Sequence, residues 1–234
     1  MQNVYEYIWL DHDGNFRSKT KVCKKELSVT NIMPGLWNFD GSSTEQANGS
    51  DSEVYIRPVS VYRDPFRKNL FRKCYLVLCD TWLPNNLPHP DNNRPDALQI
   101  FENEKVRNEE TMFGLEQEFF FTNGKGVNPV PLGMYKSGVD SYSGESGPQG
   151  PYYCGVGAGK VFGRKIAEKA LEYALECGLN ITGLNFEVAP GQCELQLCEK
   201  GIKAADDLIM LRYILVRTAE DYDVAIDFHP KPVK

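Results

Sequence analysis

Histidine is scarce in this chain: His12, His89 and His229 are the only three in 234 residues, and no two are close in sequence. Each is expected to be a surface or turn residue, because a histidine metal site is announced by a second histidine at short spacing. The seven cysteines are odd in number and form no C-x-x-C pair. That is the pattern of reduced core thiols in a cytoplasmic protein, and it excludes a zinc ribbon or a disulfide frame. Any metal chemistry must therefore run on carboxylates. There is no Lys/Arg block, and the net charge of −6 would repel nucleic acid and anionic membrane. No apolar run approaches the length a bilayer requires. Glu6 interrupts the first residues, which lack the basic-then-apolar order of a secretory signal. What remains is an ordinary globular composition, 41% hydrophobic and 25% charged, with length for one or two domains.

Residues 1–88 read as a β-rich module. Strands are expected at 4–10, 17–22, 54–62 and 74–82, the first followed by the turn Asp11-His12-Asp13-Gly14-Asn15. Between them, residues 34–44 combine turn formers with Trp37 and Phe39 and then offer Asp40 and three hydroxyls, including Ser43. This stretch is either a surface turn with two anchoring aromatics or a loop that displays a carboxylate. Residues 83–95 hold four prolines and four asparagines, so regular structure is not expected there, and 89–95 is taken as a linker. The second domain, 96–234, should alternate helix and strand: helices at 96–107, 161–177 and 203–222, strands at 112–121, 180–188, 192–197 and 224–228. The fold class is α+β. The long 123–159 loop, rich in Gly, Pro and Ser, is expected to be ordered and site-forming. Its Gly155-x-Gly157-x-Gly159 run fails both nucleotide fingerprints, since Lys160 stands where the dinucleotide motif needs glycine and Val161 where a P-loop needs Ser or Thr.

The chemistry concentrates in Gly114-Leu115-Glu116-Gln117-Glu118-Phe119. On a strand, Glu116 and Glu118 project together while Leu115, Gln117 and Phe119 point the other way. Adjacent carboxylates repel unless a cation sits between them, and hard divalent ions prefer such oxygens. The plainer alternative is a strand with one wet face. Glu187 and Glu194 flank a Pro190-Gly191 turn in strand-like sequence and bring the acids to four. Clustered carboxylates suit Mg²⁺ or Mn²⁺ at a site that neutralises charge during phosphoryl transfer.

Four segments, in order and at matching spacing, carry a resemblance: Asn38-Phe39-Asp40-Gly41-Ser42-Ser43-Thr44, Phe113-Gly114-Leu115-Glu116-Gln117-Glu118, the stretch from Gly147 to Ala158, and Glu187-Val188-Ala189-Pro190-Gly191-Gln192-Cys193-Glu194. Together they resemble the glutamine synthetases of the eukaryotic type. The resemblance implies a small N-terminal β-grasp domain, a glutamine synthetase-type catalytic domain, and a homo-oligomer of stacked rings with sites between subunits. It implies ATP, glutamate and ammonium as substrates, joined through a γ-glutamyl phosphate. By the same resemblance Glu118, Glu187 and Glu194 hold one metal ion, and Glu116 contributes to a second. Glu116, Glu194, Asp40 and Ser43 touch substrate or nucleotide, with Asp40 binding ammonium and taking its proton in a neighbouring subunit; Glu187, Glu194 and Asp40 are the implied catalytic set.

The family normally continues past a segment like Phe228-His229-Pro230-Lys231-Pro232, with further metal, ATP and glutamate ligands. The sequence is therefore expected to be C-terminally truncated. It departs from the family at Phe186, Ala189, Cys193, Met112, Gly159 and His229, and Phe186 is expected to crowd the substrate side of Glu187. The competing expectation is a non-catalytic paralogue that keeps the fold and one metal site and acts in ring assembly or regulation.

Overall fold

Alternation in the first strand sets the first sheet. The computed structural model describes residues 2–24, 33–68, 73–123, 131–133, 150 and 152–232. Strand β1 (Asn3–Leu10) sends Tyr5, Tyr7 and Trp9 to one face. The chain reverses because buried Asp11 gathers the N–H groups of Asp13 (3.1 Å) and Asn15 (2.8 Å) on Oδ1 and Arg17 Nε on Oδ2 at 2.8 Å. Strand β2 (Phe16–Cys23) then returns antiparallel, with Leu10 opposite Phe16. Three more strands follow: β3 (Trp37–Asp40), β4 (Glu53–Arg63) and β5 (Cys74–Trp82). Their order is β2-β1-β5-β4-β3, with β1 and β5 parallel and the other pairs antiparallel. Pro58 has no N–H for the ladder, and the β4–β5 register slips between Pro58 and Ser60.

The sheet curls until its two edges meet. Lys19 on β2 donates to the Asn38 carbonyl of β3 at 2.8 Å and lies 3.9 Å from the Trp37 ring centre. Inside the curl, Tyr5, Tyr7, Trp9, Phe39, Val54, Ile56, Val77 and Cys79 form one apolar cluster. Trp9 and Phe39 rings pack at 4.6 Å, and Tyr7 meets Trp37 edge-on at 5.2 Å. The segment expected as a turn around Trp37 is thus a strand, because its two aromatics close this core. Only Gly41–Thr44 is a tight 3-10 turn. Helix α1 (Arg94–Glu102) begins inside the stretch expected as linker, since proline is tolerated in a first helical turn. The single helix expected over 96–107 is two: Asn103 leaves helical geometry (ψ 129) and caps α2 (Glu104–Asn108) by accepting from Lys105 N at 3.0 Å.

The chain divides into two units, Met1–Thr111 with Glu176–Gly178, and Met112–Leu175 with Leu179–Lys234. The second is built on β6 (Met112–Thr122), β7 (Ile181–Phe186), β8 (Gln192–Lys200) and β9 (Ala225–Asp227), in the order β7-β8-β6-β9 and wholly antiparallel. One sheet face is apolar: Phe119, Phe121, Cys193, Leu195, Leu197 and Phe186 are buried. Helix α4 (Gly201–Glu220) lies against β6, β8 and β9 and buries Met210, Leu211, Ile214 and Leu215. Helix α3 (Arg164–Cys177) starts three residues later than its apolar pattern predicts. The cause is Gly163, at φ +93, where a Cβ would sit 2.3 Å from the Phe121 ring. Most of the 123–159 loop, including Gly147 and Pro148, lies outside the described residues.

Candidate metal and substrate site

The carboxylates of the second unit share a face because β6 and β8 are in register. Glu118 stands directly opposite Glu194, Glu116 opposite Gln196, and Asn185 of β7 opposite Glu194. Glu116 and Glu118 are exposed, Glu187 is half-buried and Glu194 is buried. The turn between β7 and β8 puts Glu187 beside this pair. Glu187 N donates to the Gln192 carbonyl at 3.1 Å, and the Gly191 carbonyl takes the Phe121 N–H at 2.9 Å. Gly191 sits at φ +70 with a Cβ position only 2.7 Å from the Leu132 carbonyl oxygen, so no larger residue fits this turn.

Each of three acids is held by a neutral amide. Gln192 Nε2 donates to Glu118 Oε2 at 2.8 Å, Gln196 Nε2 to Glu194 Oε1 at 2.6 Å, and Asn185 Nδ2 to Glu187 Oε1 at 2.9 Å. Gly183 lies under Gln196, where a Cβ would be 2.3 Å from Oε1. No ion pair joins any of the four acids to a cation among the described residues. Burial pushes the Glu187 carboxyl above its ordinary value, the charges of Glu194 and Glu118 add to this, and the hydrogen bonds from Val188 N and Asn185 only partly offset it. Beyond the short β9, a cleft of about 270 Å³ is lined by Glu116, Glu118, Phe120, Phe228 and His229. Behind β6, Arg212 Nε donates to Gln117 Oε1 at 2.5 Å, and Gln117 Nε2 to the Glu118 carbonyl at 2.6 Å, which fixes the strand that carries both acids.

The donor set fits a hard divalent ion in kind: four carboxylates, with a carboxyl driven toward its proton by burial and by its neighbours. Among the described residues no three acidic, histidine or cysteine groups converge on a common point. The side chains are instead turned onto their amides. A bound ion would require Glu118, Glu187 and Glu194 to turn toward one point, each through an oxygen not given to its amide or in exchange for it.

Phe186 does not crowd Glu187. It pairs with Cys193 on the apolar face, is 4% exposed, and packs 5.0 Å beneath the Arg164 guanidinium. Strand alternation places Asn185 and Glu187 together and Phe186 opposite, so the sequence neighbour is not the spatial one.

In the first unit, Asp40 ends β3 and caps the 3-10 turn. Its Oδ1 accepts from Ser42 Oγ at 2.6 Å and Ser42 N at 3.0 Å. Those two bonds, with a third from Ser52, hold the exposed Asp40 carboxyl below its ordinary range. Ser43 is exposed at the tip of the turn. The expected surface or turn placement of the histidines holds: His12 and His229 are exposed, His12 Nδ1 lying 3.2 Å from the Asp91 carboxylate, and His89 is a turn residue, though buried at 6% exposure with both ring nitrogens engaged with backbone. The amides Asn185, Gln192 and Gln196 were missed by sequence reasoning. Their signal was an amide two residues from an acid on the same strand face.

Comparison with known proteins covers nearly the whole chain. A family model described as glutamine synthetase, beta-Grasp domain, matches residues 2–84, and one described as glutamine synthetase, catalytic domain, matches residues 93–234. A glutamine synthetase of Agaricus bisporus is 44% identical over 231 residues, covering 98% of this chain and 61% of that protein. A glutamine synthetase cytosolic isozyme 2 of Vitis vinifera is 42% identical over 235 residues, covering 99% of this chain and 62% of that protein. The chain thus spans about six-tenths of the length of the curated relatives it matches. A cryo-EM structure of Plasmodium falciparum glutamine synthetase superposes with TM-score 0.69 at 18% identity, over 98% of this chain and 48% of that one, a likeness of fold.

Proposed function

The chain belongs to the glutamine synthetase family, and from that premise we propose that it takes part in ATP-dependent ligation of ammonia to glutamate. In that reaction the glutamate side-chain carboxylate attacks the γ-phosphorus of ATP and ADP leaves. Ammonia then attacks the acyl carbon of the γ-glutamyl phosphate, phosphate leaves and the nitrogen gives up a proton. Mg²⁺ or Mn²⁺, held by Glu118, Glu187 and Glu194 with Glu116 toward a second ion, would supply charge neutralisation for the phosphoryl oxygens. The observation that carries this reading is the face of four carboxylates without a cationic partner among the described residues.

The chain's own residues divide the work by charge state. Asp40, held ionised by serine donors, is a strong binder of a cation and a weak base. It therefore binds ammonium as its cation; ammonium has no lone pair, so one proton passes to the Asp40 carboxylate before the resulting ammonia attacks the acyl carbon, and a second proton leaves once nitrogen is bonded to carbon. Ser43 and Glu194 position substrate, and the amides of Gln192, Gln196 and Asn185 hold the acids apart until they are engaged. Because Asp40 is exposed at the rim of its own sheet, we propose that it serves a neighbouring subunit in a homo-oligomer of stacked rings. A cytoplasmic location accords with the cytosolic isozyme among the relatives.

The experiment is Mn²⁺-dependent conversion of glutamate and ammonium to glutamine, with calorimetric Mn²⁺ binding measured in parallel. Turnover with binding upholds the proposal, and absence of Mn²⁺ binding overturns it. Binding without turnover by the full-length protein selects the non-catalytic assembly partner, a reading favoured by carboxylates that are already tied to amides.

A further inference from the structure

Asp40 is exposed at the end of a four-residue strand, and within its loop it is bonded to serines. The direction in which it offers its carboxylate is therefore decided by how residues 41–52 are attached to the rest of their unit. At the outer end, Gly41 N donates to Ser52 O at 2.7 Å, and the Gly41 carbonyl takes Gln46 N at 2.8 Å and Ala47 N at 3.1 Å. A Cβ on Gly41 would meet Val54 Cγ2 at 2.6 Å, so this approach is tight. The inner end hangs on Gln46, which is 5% exposed. Its side chain accepts from Thr44 Oγ1 at 3.1 Å and donates to the Leu10 carbonyl at 3.2 Å.

The Gln46 backbone carbonyl receives its hydrogen bond from His89 Nε2, at 2.7 Å across 43 residues of sequence. His89 is itself clamped: its N–H donates to Thr81 O at 3.0 Å, its carbonyl accepts from Asn92 N at 2.8 Å, and Nδ1 accepts from Asp91 N at 3.2 Å. With Nδ1 accepting, Nε2 carries the proton.

We propose that His89 is a positioning residue for Asp40: its Nε2–H, given to the buried Gln46 carbonyl, fixes the inner end of the loop and so the presentation of the Asp40 carboxylate to a cationic substrate. The identity of that cation as ammonium rests on the function proposed above; the hold on the loop does not. A displacement of about 1 Å at a reacting group costs up to about a hundredfold in rate, so a donor distant from the chemistry has leverage.

The test compares His89→Met, which keeps bulk without a donor, with His89→Gln, whose amide restores one, in the full chain. Amide hydrogen exchange at Gln46 and Ala47 reports the loop, and KM values for ammonium and glutamate report the site. Expected in His89→Met are exchange faster by about tenfold and an ammonium KM raised about tenfold, with glutamate KM and Mn²⁺ affinity unchanged and His89→Gln recovering both. Unaltered exchange in His89→Met overturns the proposal, as does a parallel rise of both KM values, which would mean general loosening. Should the unsubstituted chain show no turnover, the exchange comparison alone decides whether His89 holds the loop, and the ligase reading is judged separately on the full-length protein. Should His89→Met not fold, His89→Ala against His89→Gln decides on the same readouts.

Discussion

Asp40 and Glu187 are the same kind of group under opposite management. Asp40 lies on the surface of the first unit, where the Ser42 hydroxyl, the Ser42 N–H and Ser52 surround it with donors and lower its pKa. Glu187 lies half-buried in the second unit, where desolvation and the charges of Glu194 and Glu118 raise its pKa against two hydrogen bonds. A loop can bend its own N–H and hydroxyl groups around an anion. Glu187, in the turn that joins two paired strands, accepts only the Val188 N–H at 3.3 Å and the Asn185 amide at 2.9 Å, too few donors to offset burial and the neighbouring charges. The first arrangement is complete without a ligand. The second is balanced for one that brings positive charge.

The sharpest way to break that comparison is to remove a strand acid. Glu187→Ala or Glu118→Ala is expected to weaken Mn²⁺ binding by more than about a hundredfold, since on the proposed site a carboxylate ligand is lost outright. Unchanged binding isotherms in both variants would end the metal assignment. Asp40→Asn is expected to leave Mn²⁺ affinity within about twofold while raising ammonium KM about ten- to a hundredfold, the loss of one charge-assisted contact. A matching loss of Mn²⁺ affinity would show that the two carboxylates are not separate devices.

Much of this division was legible in the sequence, and the rest failed for physical reasons. Period-2 alternation placed Glu116 and Glu118 on one face and Gln117 and Phe119 on the other, as found, because both sides of the sheet differ in polarity. The Trp37–Asp40 strand was hidden, since its partner Glu53–Ile56 is reached through a loop and its aromatics mimic turn anchors. The late start of α3 was hidden too: Gly163 matters through the Phe121 ring, a contact distant in sequence. Phe186 misled because proximity in sequence to Glu187 means opposite faces on a strand. His89 carries no local pattern at all; its partner Gln46 is specified by the fold alone.

Gly41→Ala tests the self-sufficient arrangement from its rigid end. The added methyl meets Val54 Cγ2 at 2.6 Å and Ala47 Cβ at 2.9 Å. Both lie in a region already tightly spaced, so the expected cost is about 1–3 kcal/mol in denaturant unfolding, with Mn²⁺ affinity retained. A neutral outcome would mean that the loop accommodates the methyl and that Asp40 is less firmly placed than its hydrogen bonds indicate.

The smallest effect separates the two carboxylates by sign. Glu187 has a native pKa above its ordinary 4.5, so between 4.5 and the raised value the unfolded chain has released a proton that the native state keeps. The unfolded state then binds fewer protons, and stability without metal falls as pH rises through that window. Asp40 has a native pKa below its ordinary 3.8, so its contribution is present above 3.8 and is lost as pH falls through the native value. Urea unfolding in chelator from pH 3 to 7 should therefore show a decline above 4.5 that Glu187→Gln flattens and Asp40→Asn leaves alone. Saturating Mn²⁺ should reverse that decline, because the ion binds the ionised face and pulls the native pKa back down. A decline that persists in Glu187→Gln would show that Glu187 is not the group that keeps the proton, and would end this assignment.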